Sequence, residues 1–151
     1  MEIMAKSCSL DNTLTVKLQT LDDKTRFAAT ARENPEIFID YFPPVGTGNG
    51  YTSLEIFMIS FGSCISSTLM TLLRYRMKKP VSGVTVVVNG RVREEHPRAL
   101  EYILLTMKIK ANDLSEAEVQ AALKLAEDTM CPVWAMIKGN VTVEVKTEIC
   151  E

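Results

Sequence analysis

The sequence has little of what metal sites and disulfide scaffolds are built from. Among its 151 residues there are one histidine and four cysteines, and no two cysteines stand at C-x-x-C spacing. A single histidine excludes His-rich metal sites, and four scattered cysteines are too sparse for a disulfide scaffold. His96, the histidine, stands in a charged turn beside a proline, where we expect a solvated loop residue rather than a catalytic one.

A charge excess and a secretion signal are also missing. Lysine and arginine number 17 against 19 aspartates and glutamates, which gives a net charge of -2 and no basic footprint for nucleic acid. The first residues lack a long apolar run with a cleavage site, so no signal peptide is evident. We therefore expect a cytoplasmic protein, in which the cysteines are free or redox-active thiols rather than structural bridges.

The most prominent stretch is a predicted helix over residues 52–79. It begins with Thr52 and Glu55 at capping-box spacing, and no charged residue follows until Arg74. Its last turn is rich in basic residues and is followed by Pro80, which ends a helix. Apolar or small residues occupy every side, so the pattern predicts a helix about 40 Å long that is buried all round.

A membrane span is the alternative interpretation of this stretch. The uncharged run from Ile56 to Leu73 reaches the lower length limit for crossing a bilayer. However, it contains many Ser, Thr, Gly and Cys residues, and no Trp or Tyr belt marks its uncharged end. We interpret it as the core helix of a soluble protein without a membrane partner.

The remaining segments predict strands and two further helices in one domain, residues 1–151. Residues 1–50 form a strand meander and a loop, 52–79 the central helix, and 81–151 a hairpin, a helix, a short helix and a final strand. Strands are predicted at 10–21, 25–30, 36–42, 83–93, 100–111 and 141–149, and helices at 115–130 and 133–137. Alternation places Ile103, Leu105, Met107 and Ile109 on one face of their strand. Ser115 and Glu118 stand at capping-box spacing, and Met130 falls on the apolar stripe of the helix that follows. Strands grouped around segregated helices indicate an α+β fold with antiparallel sheets around the long helix.

Such a helix has no polar face, so one chain of this size cannot cover it. A partner copy whose own long helix packs against it is the simplest solution, and we therefore expect an intimate homodimer. The loop before the helix holds Gly46, Gly48 and Gly50, which could cradle an anion at a helix N-terminus. It lacks phosphate-loop spacing, so an ordinary loop is the preferred interpretation.

Two cysteines are candidates for redox chemistry. Cys64 lies inside the long helix, and Cys131 precedes Pro132, which is favoured as the first residue of a helix. Cys131 is thus predicted to be the N-cap of the short helix, where the helix dipole would favour a thiolate. The alternative is that both cysteines are small core residues.

At this point the sequence resembles a known family. The segments Leu54-Glu55-Ile56-Phe57, Gly62-Ser63-Cys64, Arg93 to Arg98 and Cys131-Pro132-Val133 resemble the OsmC/Ohr family and are most similar to its YhfA-like branch. The likeness runs from the loop at Pro43 through the last strand. It implies an OsmC-like fold, an intertwined homodimer, and a site at the subunit interface that needs no metal or bound cofactor.

The resemblance also implies an activity, the thiol-dependent reduction of organic hydroperoxides. Cys64 would be the peroxidatic thiolate and become a sulfenic acid, and Cys131 would resolve it as a disulfide. An external dithiol would then restore both thiols. The apolar residues around Cys64, such as Phe57 and Phe61, favour an alkyl or fatty hydroperoxide over hydrogen peroxide.

Peroxide-reducing members also use an arginine and a glutamate beside the thiolate. Arg26, on a predicted strand, is the better candidate, and Arg32 is the other. Glu55 stands nine residues before Cys64, where the best-characterised branch has its glutamate at ten, so a helix cap is an alternative role. This departure leaves a second hypothesis open, a non-catalytic protein that binds a small apolar ligand and has unreactive cysteines.

Overall fold

The computed structural model describes residues 12–151, which divide between Ser53 and Leu54 into two compact units. Cys8 and the predicted start of the first strand at residue 10 lie outside the described residues. The single domain over 1–151 stays a prediction.

The first unit contains a three-stranded antiparallel sheet in the order β1-β2-β3. The strands are β1 (Lys17–Thr20), β2 (Phe27–Thr30) and β3 (Ile37–Ile39). The predicted meander is thus confirmed, although each strand is shorter than its apolar pattern. Between the first two strands, the Asp22 carboxylate accepts hydrogen bonds from the backbone N–H groups of Lys24 and Arg26, which turns the chain before β2 begins.

After β3 the glycine-containing loop is folded around the carboxylate of Asp40, which is only 1% exposed. The hydroxyl and backbone N–H of Thr47 donate to it at 2.6 and 2.9 Å, and Tyr41 donates its N–H at 2.8 Å. A Cβ at Gly46 would collide with Asp40 Oδ1, so only glycine fits there. The N–H groups of this loop are used within the chain. Thr47 donates to the Asp40 carboxylate, and Gly46 and Gly48 donate to the carbonyl oxygens of Phe42 and Tyr41, which supports the ordinary-loop interpretation.

The long helix begins at the boundary of the units and belongs mainly to the second. Helix α1 runs from Ser53 to Thr71 and continues as a π-helical turn over Leu72–Arg76. The prediction that the helix extends to residue 79 is wrong at its end, because Lys78 has a φ of 58° and the helix stops before it. The capping box at Thr52 stays a prediction.

The prediction that α1 is buried all round is wrong for the single chain. Its buried residues are Phe61, Gly62, Ile65, Ser66 and Leu69, which form one stripe. The opposite side is exposed and includes Ile59, at 52% exposure. Together with its π turn, the segment Ser53–Arg76 is long enough to cross a membrane and contains an 18-residue window with a mean hydropathy of 1.8, a test that core helices of soluble proteins also pass.

The second sheet has the order β4-β5-β6 and carries the packed face of α1. Strands β4 (Val81–Val92) and β5 (Leu100–Ala111) form the predicted hairpin, and the turn between them holds His96 in an exposed position, as expected. Ile103, Leu105, Met107 and Ile109 share one face of β5 and are all fully buried, which confirms the predicted core face.

Strand β6 (Thr142–Cys150) pairs parallel to β5, so this sheet is mixed rather than antiparallel throughout. The physical reason is the connection: α2 (Glu116–Leu125) and α3 (Pro132–Ile137) form a helical crossover that returns the chain to the end where β5 began. The predicted α+β fold with a helix over antiparallel strands is otherwise as observed. The capping box of α2 is confirmed, because Ser115 and Glu118 each accept the other's backbone N–H.

Candidate functional site

Glycine lets α1 approach the second sheet closely just before Cys64. A Cβ at Gly62 would lie 2.9 Å from Cγ2 of Val88 on β4, which is closer than carbon atoms pack. Phe61 and Ile65, on either side of this position, are fully buried. Cys64 is therefore fixed on the helix at the margin of the core, half-buried rather than enclosed.

A π-helical turn places Cys131. Residues Ala126–Met130 form this turn after α2, and the N–H of Cys131 donates to the carbonyl oxygen of Ala126 at 2.8 Å. The wider turn shifts the helical register, so Met130 is 48% exposed while Cys131 is only 2% exposed. Met130, predicted on the buried stripe of α2, is therefore outside the core, and Cys131 takes the inward position.

The rings of Phe61 and Trp134 join the two cysteine-bearing elements. Phe61 lies on α1 three residues before Cys64, and Trp134 lies on α3 three residues after Cys131. Their centroids are 5.8 Å apart with the planes at 77°, which is the favoured edge-to-face arrangement. This contact holds α3 against α1 about one helical turn from the sulfurs.

The structure brings Cys64 and Cys131 together from positions 67 residues apart. Sγ of Cys131 donates a hydrogen bond to Sγ of Cys64 at 3.1 Å, and both cysteines are free thiols. Forming a disulfide from this arrangement requires only a small approach of the two sulfurs. The juxtaposition expected from the resemblance is thus present within one chain, whereas the catalytic roles of the two residues stay a prediction.

Cys131 is the N-cap of α3 with Pro132 as the first helical residue, as predicted. The expected thiolate is wrong for this cysteine, because burial and the hydrogen bond to Cys64 raise the pKa of Cys131 to about 11. The N–H groups of Trp134 and Val133 lower the pKa, but less strongly, and Sγ makes no capping hydrogen bond. In so short a helix, the desolvation of the charged sulfur outweighs the helix dipole.

A small pocket of about 180 Å³ lies beside Cys131. Over the part of the chain that the structure describes, its lining comes from Glu127, Asp128, Thr129, Met130, Cys131, Pro132 and Ala135. Sequence reasoning missed this pocket and gave its acidic residues, Glu127 and Asp128, no role. The π turn that opens it has no sequence signal that we recognise.

Within residues 54–151, the other predicted site residue is Glu55, and the structure does not place it beside the two sulfurs. Glu55 is exposed in the first turn of α1. Nine residues of regular helix place it about 13 Å along the axis from Cys64 and on roughly the opposite side. Within one chain Glu55 therefore points away from that sulfur, and its catalytic role stays an untested prediction.

Arg26 lies in the first unit, just before β2. Its guanidinium carbon is 4.9 Å from the centre of the Phe38 ring, which is a cation–π contact. Its Nε is buried and has no hydrogen-bond partner among the described residues. Arg32 is an exposed turn residue with a φ of 57°. Cys150 ends β6, half-buried.

Comparison with protein families decides the identity of the fold. The model of the OsmC family, described as OsmC-like protein, matches residues 46–146, which is well over half of the chain. The chain belongs to the OsmC-like family. No curated protein matches the sequence. The YhfA-like branch within the family stays a prediction.

Solved structures agree with this assignment. A hypothetical protein from Aquifex aeolicus is 22% identical with a TM-score of 0.78, over 91% of this chain and 96% of that one. The OsmC-like protein from Mycoplasma pneumoniae is 17% identical with a TM-score of 0.73, over 93% and 98%. The organic hydroperoxide resistance protein OhrB of Bacillus subtilis is 15% identical with a TM-score of 0.65, over 90% and 98%. At these identities the structures establish a shared OsmC-like fold.

Proposed function

We propose that this OsmC-like protein is a thiol-dependent peroxidase that reduces organic hydroperoxides through Cys64 and Cys131. The observation that carries the proposal is the sulfur pair at 3.1 Å. Some proteins of the same fold, including OhrB, are named organic hydroperoxide resistance proteins, which supports this reaction over others. We also propose that the protein acts in the cytoplasm, where its free thiols are kept reduced.

The cysteines have different roles in the proposed cycle. The Cys64 thiolate attacks the terminal oxygen of the hydroperoxide, the O–O bond breaks, and the alkoxide takes a proton and leaves as an alcohol. Cys64 is then a sulfenic acid. The Cys131 sulfur attacks it, a disulfide forms, and water leaves. An external dithiol returns two electrons and restores both thiols.

Burial supports this division of roles. Cys64 is half-buried and so is within reach of a substrate, whereas Cys131 is 2% exposed. The raised pKa of Cys131 keeps its proton in place, so its thiol can donate a hydrogen bond to Cys64. A buried, protonated cysteine is suited to the second step, in which its partner has already been oxidised.

An alkyl or fatty hydroperoxide is the proposed substrate class. Phe57 and Met58 precede Cys64 on α1, are partly buried and pack against the core. Apolar side chains of this kind would accommodate a hydrocarbon tail, and hydrogen peroxide has none.

A homodimer is proposed as the working form. Leu54 and Ile59 are 36% and 52% exposed on the outer side of α1, and the segment from Ser53 has a high mean hydropathy. A second copy of the helix would remove this apolar surface from water. Sedimentation at micromolar concentration should therefore give twice the mass of the chain.

A cation is expected to assist the Cys64 thiolate, and Arg26 is the proposed source. Among residues 54–151, no arginine or lysine donates a hydrogen bond to either sulfur. Arg26 has a buried Nε without a partner among the described residues, so it retains a donor for such a role. Arg26→Lys should slow the reaction with hydroperoxide, while the matched change Arg32→Lys should not.

Among residues 54–151, the lack of a hydrogen bond from a lysine or arginine to either sulfur also favours the second candidate function. In that case the protein would hold a small apolar ligand and its cysteines would be inert. Native mass spectrometry of untreated protein would show such a ligand, together with thiols that react slowly.

Single-turnover oxidation tests the proposal. Reduced protein is mixed with one equivalent of cumene hydroperoxide, and thiol loss is followed in the wild type, Cys64→Ser and Cys150→Ser. We expect rapid loss in the wild type and Cys150→Ser, and none above background in Cys64→Ser. Equal rates in Cys64→Ser and the wild type would remove Cys64 from the reaction and overturn the proposal.

A further inference from the structure

The proposed reaction of Cys64 with a hydroperoxide does not use the pocket beside Cys131. It lies next to the cysteine that would resolve the sulfenic acid, and its described lining comes entirely from residues 127–135. No residue of α1 is among them. Cys131 is thus in contact with Cys64 through its sulfur and is also part of the wall of a separate cavity.

We propose that the reducing thiol enters this pocket and attacks Cys131, so that Cys64 is the first sulfur released from the disulfide. This inference rests on the proposed redox pair and specifies its reductive half. Thiol–disulfide exchange proceeds with the entering, central and leaving sulfurs nearly in line. A thiol that attacks Cys131 must therefore approach from the side away from Cys64, and the pocket is built from the Cys131 segment alone.

The raised pKa of Cys131 supports the same direction. The better leaving group in an exchange is the thiol with the lower pKa. Burial raises the pKa of Cys131 to about 11, so its thiolate is a poor leaving group. Attack on Cys131 avoids expelling that thiolate in the first step.

The proposed reduction takes two steps. A thiolate of the reductant bonds to Sγ of Cys131, the Cys64–Cys131 bond breaks, and Cys64 leaves as a thiolate with the electron pair. A second thiol, from the same dithiol or another molecule, then attacks the reductant's sulfur. The reductant becomes a disulfide, Cys131 takes a proton, and the protein has gained two electrons.

The lining also selects the reductant. Glu127 and Asp128 line the pocket, whereas their partners Lys138 and Lys124 do not. Asp128 is 2.8 Å from Lys124, and Glu127 is 3.5 Å from Lys138. The carboxylates should disfavour thiols with additional negative charge. These carboxylates favour a neutral or cationic thiol. Because Cys131 is only 2% exposed, that thiol should be carried on a slim, unbranched chain.

The experiment starts from a disulfide made with diamide, so that it does not depend on reaction with a hydroperoxide. Oxidised protein is mixed briefly with cysteamine, quenched with acid, alkylated and mapped by mass spectrometry. We expect the cysteamine adduct on Cys131 and the alkyl group on Cys64. An adduct on Cys64, or a disulfide that diamide does not close, would overturn the inference.

A second measurement compares reduction rates with cysteamine and 3-mercaptopropionate. We expect the wild type to favour cysteamine, and the preference to fall about twofold to fivefold in Glu127→Gln and in Asp128→Asn. The control is Glu101→Gln, an exposed carboxylate 2.8 Å from Arg91 and outside the pocket, which should keep the wild-type preference. An equal fall in the control would contradict the assignment. If the wild type does not reduce hydroperoxide but the cysteamine adduct still forms on Cys131, the proposed function fails and the inference about the pocket stands.

Discussion

Phe61 and Trp134 meet edge to face, and each lies three residues from one of the paired cysteines. Because their rings join α1 to α3, the spacing of Cys64 and Cys131 depends on the packing of two side chains that carry no reactive group. The distance between the two sulfurs therefore depends on the Phe61–Trp134 contact as well as on the cysteines themselves.

The first prediction removes this contact. Phe61→Ala should lower the free energy of unfolding by roughly 3–5 kcal/mol, because the ring is fully buried. It should also slow disulfide closure by diamide, since α3 loses its support. Urea unfolding and thiol counting measure the two effects. The control is Phe57→Ala, a half-buried ring on the same helix, and an equal loss from both variants would contradict the role given to Phe61.

The second prediction concerns Gly62. Alanine usually stabilises a helix interior by about 1 kcal/mol relative to glycine. Here the added Cβ would lie 2.9 Å from the stiff side chain of Val88, and overpacking typically costs about 1–3 kcal/mol. We therefore expect Gly62→Ala to be less stable than the wild type in urea. Gly83→Ala, where the new Cβ meets nothing within 4 Å, should not be. A stabilised Gly62→Ala would show that α1 does not pack this closely.

The third prediction follows from the raised pKa of Cys131. In folded, reduced protein this thiol should resist iodoacetamide at neutral pH and react only as the pH approaches about 11. Its folded pKa is above the ordinary 9.0, so it favours the folded state below pH 9, and this contribution is lost as the pH rises from 9 to 11. Peptide mapping after alkylation measures how far Cys131 has reacted at each pH. Rapid modification of Cys131 at pH 7 would contradict it.

The fourth prediction concerns Asp40. Its hydrogen bond from the Thr47 hydroxyl, supported by backbone N–H groups, holds the pKa of Asp40 far below the ordinary 3.8. The stabilisation is therefore fully present above the unfolded pKa and is lost as the pH falls below it. Asp40→Asn should be less stable at pH 7 and should lose stability less steeply between pH 5 and 3. Asp23→Asn, at an exposed turn residue, serves as the control. Identical acid profiles for Asp40→Asn and the wild type would refute this role.

Much of the fold follows from the sequence, because its signals are local. The uncharged run after Glu55 predicted α1, the Ser115 capping box predicted the start of α2, and the alternation along β5 predicted a core face. The direction of β6 was not predictable in this way. An alternating pattern is the same for parallel and antiparallel pairing, and the crossover through α3 decides between them.

The candidate site was predicted in part. The resemblance to the OsmC/Ohr family implied that Cys64 and Cys131 would meet, whereas their local contexts left both open as small core residues, and the structure places the two sulfurs together. The acidity of Cys131 was predicted wrongly, because the N-cap position is visible in the sequence but the burial that outweighs it is not. The Phe61–Trp134 contact and the pocket after the π turn depend on tertiary packing, for which no local pattern exists.

The most direct test of the central claim is to locate the bond formed when reduced protein meets one equivalent of cumene hydroperoxide. The product is alkylated without reductant, digested and mapped by mass spectrometry. A disulfide that joins Cys64 to Cys131 is expected, with Cys150 alkylated. A product in which Cys64 and Cys131 are both alkylated, or in which either is joined to another cysteine, would contradict the account.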